Sequence, residues 1–556
     1  MIRRIPRAPM EPYVPASALA FVQVDSLGKL IDGLTSTKAW RELAPLLGVS
    51  SQLRQVGQAA TIMGGLGLGP NEAVIAGRAQ YVLILTGLEA ESGSTDEGPY
   101  LHLKPHLVLV IKTHSTPEAA QALVRDRAQI LARRIYGDSA TAHSDQYFES
   151  QIQIFDGPGP GHQLIAASAS DLVLIANDAA SVKVCLDAID ARTPNMASDS
   201  TLMGSRAQVD DNASVFGFVT AAGIEKISGL APALLTAQFT NNPDQAADIA
   251  NLVQHVTSQA VSGLLYSAEL TPDGVTDRYL TVLKQSMSSD LADLMKPPAG
   301  PDLDQTRMVP PSVEGFTVVN VRNVGGLPER ALKSIGPKFD LVGSLALKEL
   351  VIGLRKEMGL EGSQSIETAL GDDLVLVRFG DAEPEAVILS VRDRAALAPY
   401  IDRYLGKDGA STSRDDYGGV EIAASSNPDG RAAAFVDSWL VLGTRQQIAA
   451  IIDHRKGTGE SGQPLWGRGA TAPPSASIIS CAVANRQAGE AMLAVSRITR
   501  TSDGSPELLE KDSVRSALRN LPPSISFTRF QDNGIYTETK SAAGNFGLLA
   551  SLGSKD

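Results

Sequence analysis

Cysteine is nearly missing from this chain. Its 556 residues include only two, Cys185 and Cys481, too few for a disulfide framework or a cysteine-rich metal centre. One falls in a predicted helix and one in a predicted strand, where each reads as a small buried apolar residue. Aromatic residues make up 5%, so aliphatic side chains must build the cores. Basic residues are outnumbered, 49 against 62 acidic, giving a net charge of −13. That balance argues against a nucleic-acid partner, which needs a basic face. Long apolar runs are absent too. Nothing approaches the ~18 residues of a spanning helix, and Leu107–Ile111 (LVLVI) has the length of a strand. The basic start MIRRIPRAPMEPYVP has no apolar run behind it, so no signal peptide is expected in the chain as it stands. As the chain stands this reads as cytoplasmic, but the location expected is the periplasm or cell envelope, with an export or anchoring segment upstream of this start. A periplasmic or cell-envelope location would require an export or anchoring segment not present in this chain, and any membrane association would run through that segment.

Turn residues are plentiful, with 50 glycines and 31 prolines, and between them one pattern keeps returning. Val14–Leu34 (VPASALAFVQVDSLGKLIDGL) reads as a turn, a short apolar strand, a polar step and a helix start. The pattern returns at Ala213–Ile227, Ser312–Leu332 and Ser475–Leu493. Other features repeat in the same order. A glycine-rich segment and strand around Gly77 matches Met358–Val377, which places Gly371 on Gly77. The strand and helix of His106–Arg134 match Ala386–Leu405. The hairpin around DGPGPG and the strand Asp171–Ala176 match Tyr417–Ala424, Arg431–Val436 and Trp439–Gly443. The hairpin around TPDG matches the one around QDNG. Such an ordered recurrence implies duplication.

The expected fold is therefore α+β. It consists of two tandem copies of a sheet-plus-helix domain, mainly antiparallel strands with helices packed on one face. The expected boundaries are an N-terminal tail at 1–13, a first copy at 14–295, a Pro-rich linker at 296–311, a second copy at 312–548 and a C-terminal tail at 549–556. The acidic run Glu89–Tyr100 reads as a surface loop.

Motifs that carry chemistry are hard to find. His102, His106 and His114 are the one near cluster of histidines, and the second copy has none at the matching places. They read as strand-end and loop histidines, not metal ligands. The run Gly64–Gly69 precedes a strand and lacks Lys-Ser/Thr, so it is not a phosphate cradle. Ser26-Leu27-Gly28-Lys29 fits S-x-x-K, but a helix cap explains Ser26 better. The doublets Asp372-Asp373 and Asp415-Asp416 read as solvated edges. Arg125, Arg127, Arg133 and Arg134 read as the wet face of a helix. On this basis no residue is assigned a catalytic, cofactor-binding or metal-binding role, and no cofactor is expected.

The opening VPASALAFVQVDSLGKL and the hairpin strand PDGVTDRYLTV resemble motifs of an uncharacterised bacterial family, domain of unknown function 3352. The resemblance implies association with the bacterial envelope and lends no catalytic residue. The expected function is a non-catalytic binding or scaffold protein whose partner is an unknown protein or an apolar ligand. The alternatives are a hydrolase with a site assembled from distant residues and a carrier of a lipid-like ligand.

Overall fold

The computed structural model describes residues 8–46, 75–95, 98–209, 213–230, 254–298, 303–352, 364–380, 385–406, 410–427, 430–457, 473–483, 488–489, 493 and 509–545, apart from a few scattered positions. The predicted helices near Gln52–Ile62 and Pro243–Gln259 and the run Gly64–Gly69 lie wholly or mostly outside the described residues. The chain divides into two compact units. Unit 1 is Met1–Val282, Gln487–Ala517 and Ala543–Asp556, and unit 2 is Leu283–Arg486 and Leu518–Ala542. Both mix antiparallel sheet with helices, an α+β architecture.

In unit 1 the strands are β1 (Ala20–Val24), β2 (Gln80–Thr95), β3 (Gly98–Lys112), β4 (Thr141–Tyr147), β5 (Ser150–Asp156), β6 (Gln163–Ala169), β7 (Leu172–Ala176), β8 (Val215–Thr220), β9 (Val261–Thr271) and β10 (Gly274–Leu283), the last reaching the unit boundary. Across the sheet they lie in the order β4-β5-β6-β7-β3-β2-β1-β8-β9-β10. Phe21 is buried, and its ring meets Phe216 at 6.1 Å and Phe218 at 6.2 Å. Four helices bear on the argument: α1 (Leu27–Ser36), α2 (Pro117–Tyr136), α3 (Ala179–Ile189) and α4 (Ala221–Ser228). Each begins at a side chain that accepts the amide three residues on: Ser26, Thr116, Asp178 and Thr220 respectively.

In unit 2 the strands are β11 (Gly315–Asn320), β12 (Leu370–Arg378), β13 (Ala386–Val391), β14 (Thr412–Tyr417), β15 (Val420–Ser425), β16 (Arg431–Val436), β17 (Trp439–Thr444), β18 (Ile478–Ala482), β19 (Ser524–Gln531) and β20 (Gly534–Ser541). Their order is β14-β15-β16-β17-β13-β12-β11-β18-β19-β20, with every neighbouring pair antiparallel. Each strand thus occupies the place of the unit 1 strand numbered ten lower. Two helices matter here, α5 (Arg394–Leu405) and α6 (Arg445–Lys456).

The structure departs from the sequence-based expectations in five places. Helices cover both sheet faces, not one. In unit 2, Leu397, Tyr400 and Ile401 of α5 pack on Ala433, Leu440 and Leu442. Ile448, Ile451 and Ile452 of α6 share a core with Ala432, Ala434 and Val441. Successive residues of β16 are buried, so both faces are apolar and both require cover.

Second, part of the expected N-terminal tail is packed. Met10 and Glu11 are buried, Glu11 pairs with Arg206, and Gln80 hydrogen-bonds both backbone groups of Ala8. Third, the expected linker is part of a core. Its turn Leu303–Met308 delivers Met308 and Val309 into unit 2. The compact units consequently do not follow the expected boundaries, and Ala543–Asn545 packs in unit 1.

Fourth, the described part of the Glu89–Tyr100 segment is strand, not loop. It forms the outer arms of β2 and β3, where Glu89 lies opposite Lys104 and Glu91 opposite His102. An arm that is polar on both faces carries no alternating apolar signal. Last, Gly77 and Gly371 occupy different places. Gly77 lies within a helical turn before β2, whereas Gly371 lies inside β12 beside a register shift.

Candidate functional site

The main polar cluster of unit 1 forms where β2 and β3 shift register between Leu85 and Gly87. His106 sits opposite Gly87, whose missing side chain leaves room for the imidazole: a Cβ there would lie 3.3 Å from Nδ1. Two carboxylates flank the ring. Glu89 Oε1 lies 3.2 Å from Nε2, and Asp178 Oδ2 lies 3.7 Å from Nδ1. Asp178 is also the cap of α3, accepting the Ser181 amide at 2.8 Å and the Ser181 hydroxyl at 2.6 Å. Burial pushes this carboxyl up, but the hydrogen bonds from Ser181 and the charge of His106 outweigh it and hold Asp178 below the ordinary Asp value. Thr86 donates to the Ser181 oxygen at 2.7 Å. Asn177 braces the strand end, accepting from the Leu107 amide and donating to the Pro105 carbonyl, each at 2.8 Å.

This arrangement sets an imidazole between two carboxylates. It does not present a nucleophile, because the Ser181 hydroxyl donates to Asp178 and not to His106. The surrounding residues come from strands and a helix start up to about 90 positions apart, and no local motif could have revealed them.

A second arrangement occurs in both units. In unit 1, Tyr147 at the end of β4 donates to Asp187 of α3 at 3.0 Å. In unit 2, Tyr417 at the end of β14 donates to Asp453 of α6 at 2.9 Å. The carboxylate acceptor raises each phenol above the ordinary Tyr value. Beside each clamp a strand carboxylate pairs with a helix cation: Asp145 with Lys183 at 2.9 Å, and Asp415 with Arg445. The matching of these polar groups between the units was not visible in the sequence reading, which matched strands and turns.

The third cluster is buried. Asp277 of β10 has no exposed surface. It accepts from the Tyr266 hydroxyl at 2.7 Å and from the Asn545 amide at 2.9 Å. Asn545 also donates to the Tyr279 hydroxyl at 2.9 Å. Burial raises the Asp277 carboxyl, with Tyr266 and Asn545 opposing, and pushes Tyr279 up to about 12.

The residues singled out from the sequence are dispersed. His102 lies in the exposed outer arm opposite Glu91, and His114 contacts Gln80 Oε1 at 3.1 Å beyond the other end of β3. Along an extended strand their spacings from His106 correspond to roughly 13 and 26 Å, and among the described residues no His, Cys, Asp and Glu group is placed to hold a metal. Ser26 caps α1 through the Lys29 amide and donates to the Gly77 carbonyl at 3.0 Å. Asp372 accepts the Asn323 amide at 2.7 Å and pairs with Arg392. Asp373 accepts from Asn320. Asp416 accepts the Gly419 amide at 3.0 Å. Arg125 pairs with Asp126 at 2.8 Å, and Arg133 and Arg134 are exposed on α2. Cys185 and Cys481 are free and buried, and desolvation pushes both thiols up to about 12.

Comparison with protein families, with curated proteins and with solved structures gives no match.

Proposed function

We propose that this chain is a tandem duplication acting as a non-catalytic binding or scaffold protein of the bacterial cell envelope, related to the family its opening motif resembles. One observation carries the reading. What the two units share is a strand order and a Tyr–Asp clamp, and both are devices for holding shape. His106, flanked by Glu89 and Asp178, belongs to unit 1. Duplicated architecture with diverged surfaces suits a protein that presents two related faces to a protein or apolar ligand. Among the described residues no helix is long and apolar enough to cross a membrane, so an envelope location would draw on another segment or on a partner.

A hydrolase is the competing reading, and among the described residues His106, with carboxylates on both sides, is the first group to test for it. Substrate profiling of the purified chain beside His106→Ala, Ser181→Ala and Ser26→Ala tests the choice. The binding reading expects no turnover from any of the four proteins. Turnover by the wild type that His106→Ala abolishes would overturn it.

A further inference from the structure

Strand β4 closes one side of the unit 1 sheet, and among the described residues it pairs with β5 alone. Its side chains are exposed along Thr141–Ser144. Such an edge normally carries protection in the form of charge, proline or a bulge. The matching strand of unit 2 is protected: β14 carries Arg414, Asp415 and Asp416 in six residues. β4 has no lysine, arginine or proline; its single carboxylate, Asp145, is engaged by Lys183, and the strand pairs with β5 without a register shift. Its turn differs as well. Unit 2 turns through Gly418 and Gly419, both at positive φ, whereas unit 1 places Phe148 at φ 49. A bulky residue there is strained. The Phe148 side chain is nonetheless 63% exposed. Its ring is held at 4.1 Å by the Arg192 guanidinium and at 4.9 Å by Tyr147.

We propose that β4 is a self-complementary edge that pairs with β4 of a second copy of this chain about a twofold axis at Ser144. The pairing phase follows from the turn. A two-residue hairpin makes Tyr147 and Ser150 a hydrogen-bonded pair. By alternation Asp145, His143 and Thr141 direct their backbone groups to β5, and Gln146, Ser144 and Ala142 direct theirs outward. An antiparallel twofold at Ser144 matches outward groups with outward groups: Ser144 meets Ser144 and Ala142 meets Gln146, giving about six main-chain hydrogen bonds. The same axis puts His143 of each copy opposite Asp145 of the other, in the closer, non-hydrogen-bonded type of pair. Within one copy His143 already contacts Asp156 at 3.2 Å, and Asp145 contacts Lys183 at 2.9 Å. Across the axis these become an alternating row of Asp156, His143, Asp145 and Lys183. The axis also brings the exposed Phe148 over Ala140. On β14 the equivalent axis would set Arg414 against Arg414, which opposes self-pairing there.

The inference does not depend on whether the chain is catalytic. Sedimentation velocity of the full chain over a range of concentrations tests it. The expected result is a concentration-dependent shift from the mass of one chain to that of two. Ser144→Pro should abolish the shift, since it removes an outward N–H and none of the ladder to β5. His143→Asp should weaken association about tenfold by placing carboxylates opposite one another. His143→Asp with Asp145→His should restore it, so the charge exchange decides the matter if Ser144→Pro disturbs folding. A wild type that stays at one chain's mass, or a dimer that survives both Ser144→Pro and His143→Asp with the fold intact by circular dichroism, overturns the proposal.

Discussion

Asp277 should make the stability of unit 1 depend on pH in a particular direction. Its carboxylate is fully buried and accepts from Tyr266 and the Asn545 backbone. Burial is the largest influence on it and raises its pKa above the ordinary 3.8, while the two donated hydrogen bonds only partly offset that rise. The folded chain therefore keeps a proton at pH values where the unfolded chain has lost it. Stability from this group is fully present below the unfolded pKa and is lost as pH rises through the folded one. Asp277→Asn cannot titrate. The stability of wild type minus that of Asp277→Asn should thus fall as pH rises above the ordinary Asp value of 3.8. Tyr266→Phe provides the scale, since deleting a hydrogen bond to a carboxylate costs about 1.5–3 kcal/mol. Urea unfolding followed by circular dichroism at several pH values gives both quantities. A wild-type-minus-Asn difference that stays flat or grows with pH would refute the reasoning.

Two further predictions concern packing and thiols. A Cβ at Gly371 would run into the Ser390 hydroxyl, so Gly371→Ala should cost about 1–3 kcal/mol by overpacking, and Ser390→Gly in the same chain should recover part of it in urea melts. Cys185 and Cys481 are free, with thiols pushed to about 12. Iodoacetamide should therefore label neither in the folded chain and both after unfolding, by intact mass, and a disulfide-linked species would contradict this.

Legibility in the sequence followed the physical origin of each feature. The hairpins around TPDG and QDNG form as their turn residues indicate, joining β9 to β10 and β19 to β20. Thr116 before Pro117 opens α2 as a cap and N1 proline should. The apolar strand ends at Phe21 and Phe316 are buried in both units. Strands β4 and β14 escaped notice because they are exposed on both faces and so carry no period-two apolar signal. The outer arms of β2 and β3 escaped for the same reason. The second helical layer was missed although the consecutive buried alanines of β16 were present in the sequence, because a short apolar run does not say how many faces are covered. The His106 cluster depends on Glu89, Asp178 and Ser181, and the Asp277 cluster on Asn545, some 268 residues away. Contacts made by folding over such distances leave no local spacing to read.

The proposed duplication is tested most directly by cross-strand disulfides placed at matching positions. In a background with Cys185→Ala and Cys481→Ala, Val22 and Leu83 of unit 1, which are register partners, are replaced by cysteine. In a second protein the same is done to Thr317 and Leu376, register partners in unit 2. Control pairs at Val22 with Ile84 and at Thr317 with Val377 are shifted by one residue, which turns the side chains to opposite faces. The account predicts that both in-register pairs oxidise to intramolecular disulfides and that both controls remain reduced. Oxidation of the in-register pair in only one unit, or of a shifted pair in preference to it, would contradict a shared strand order.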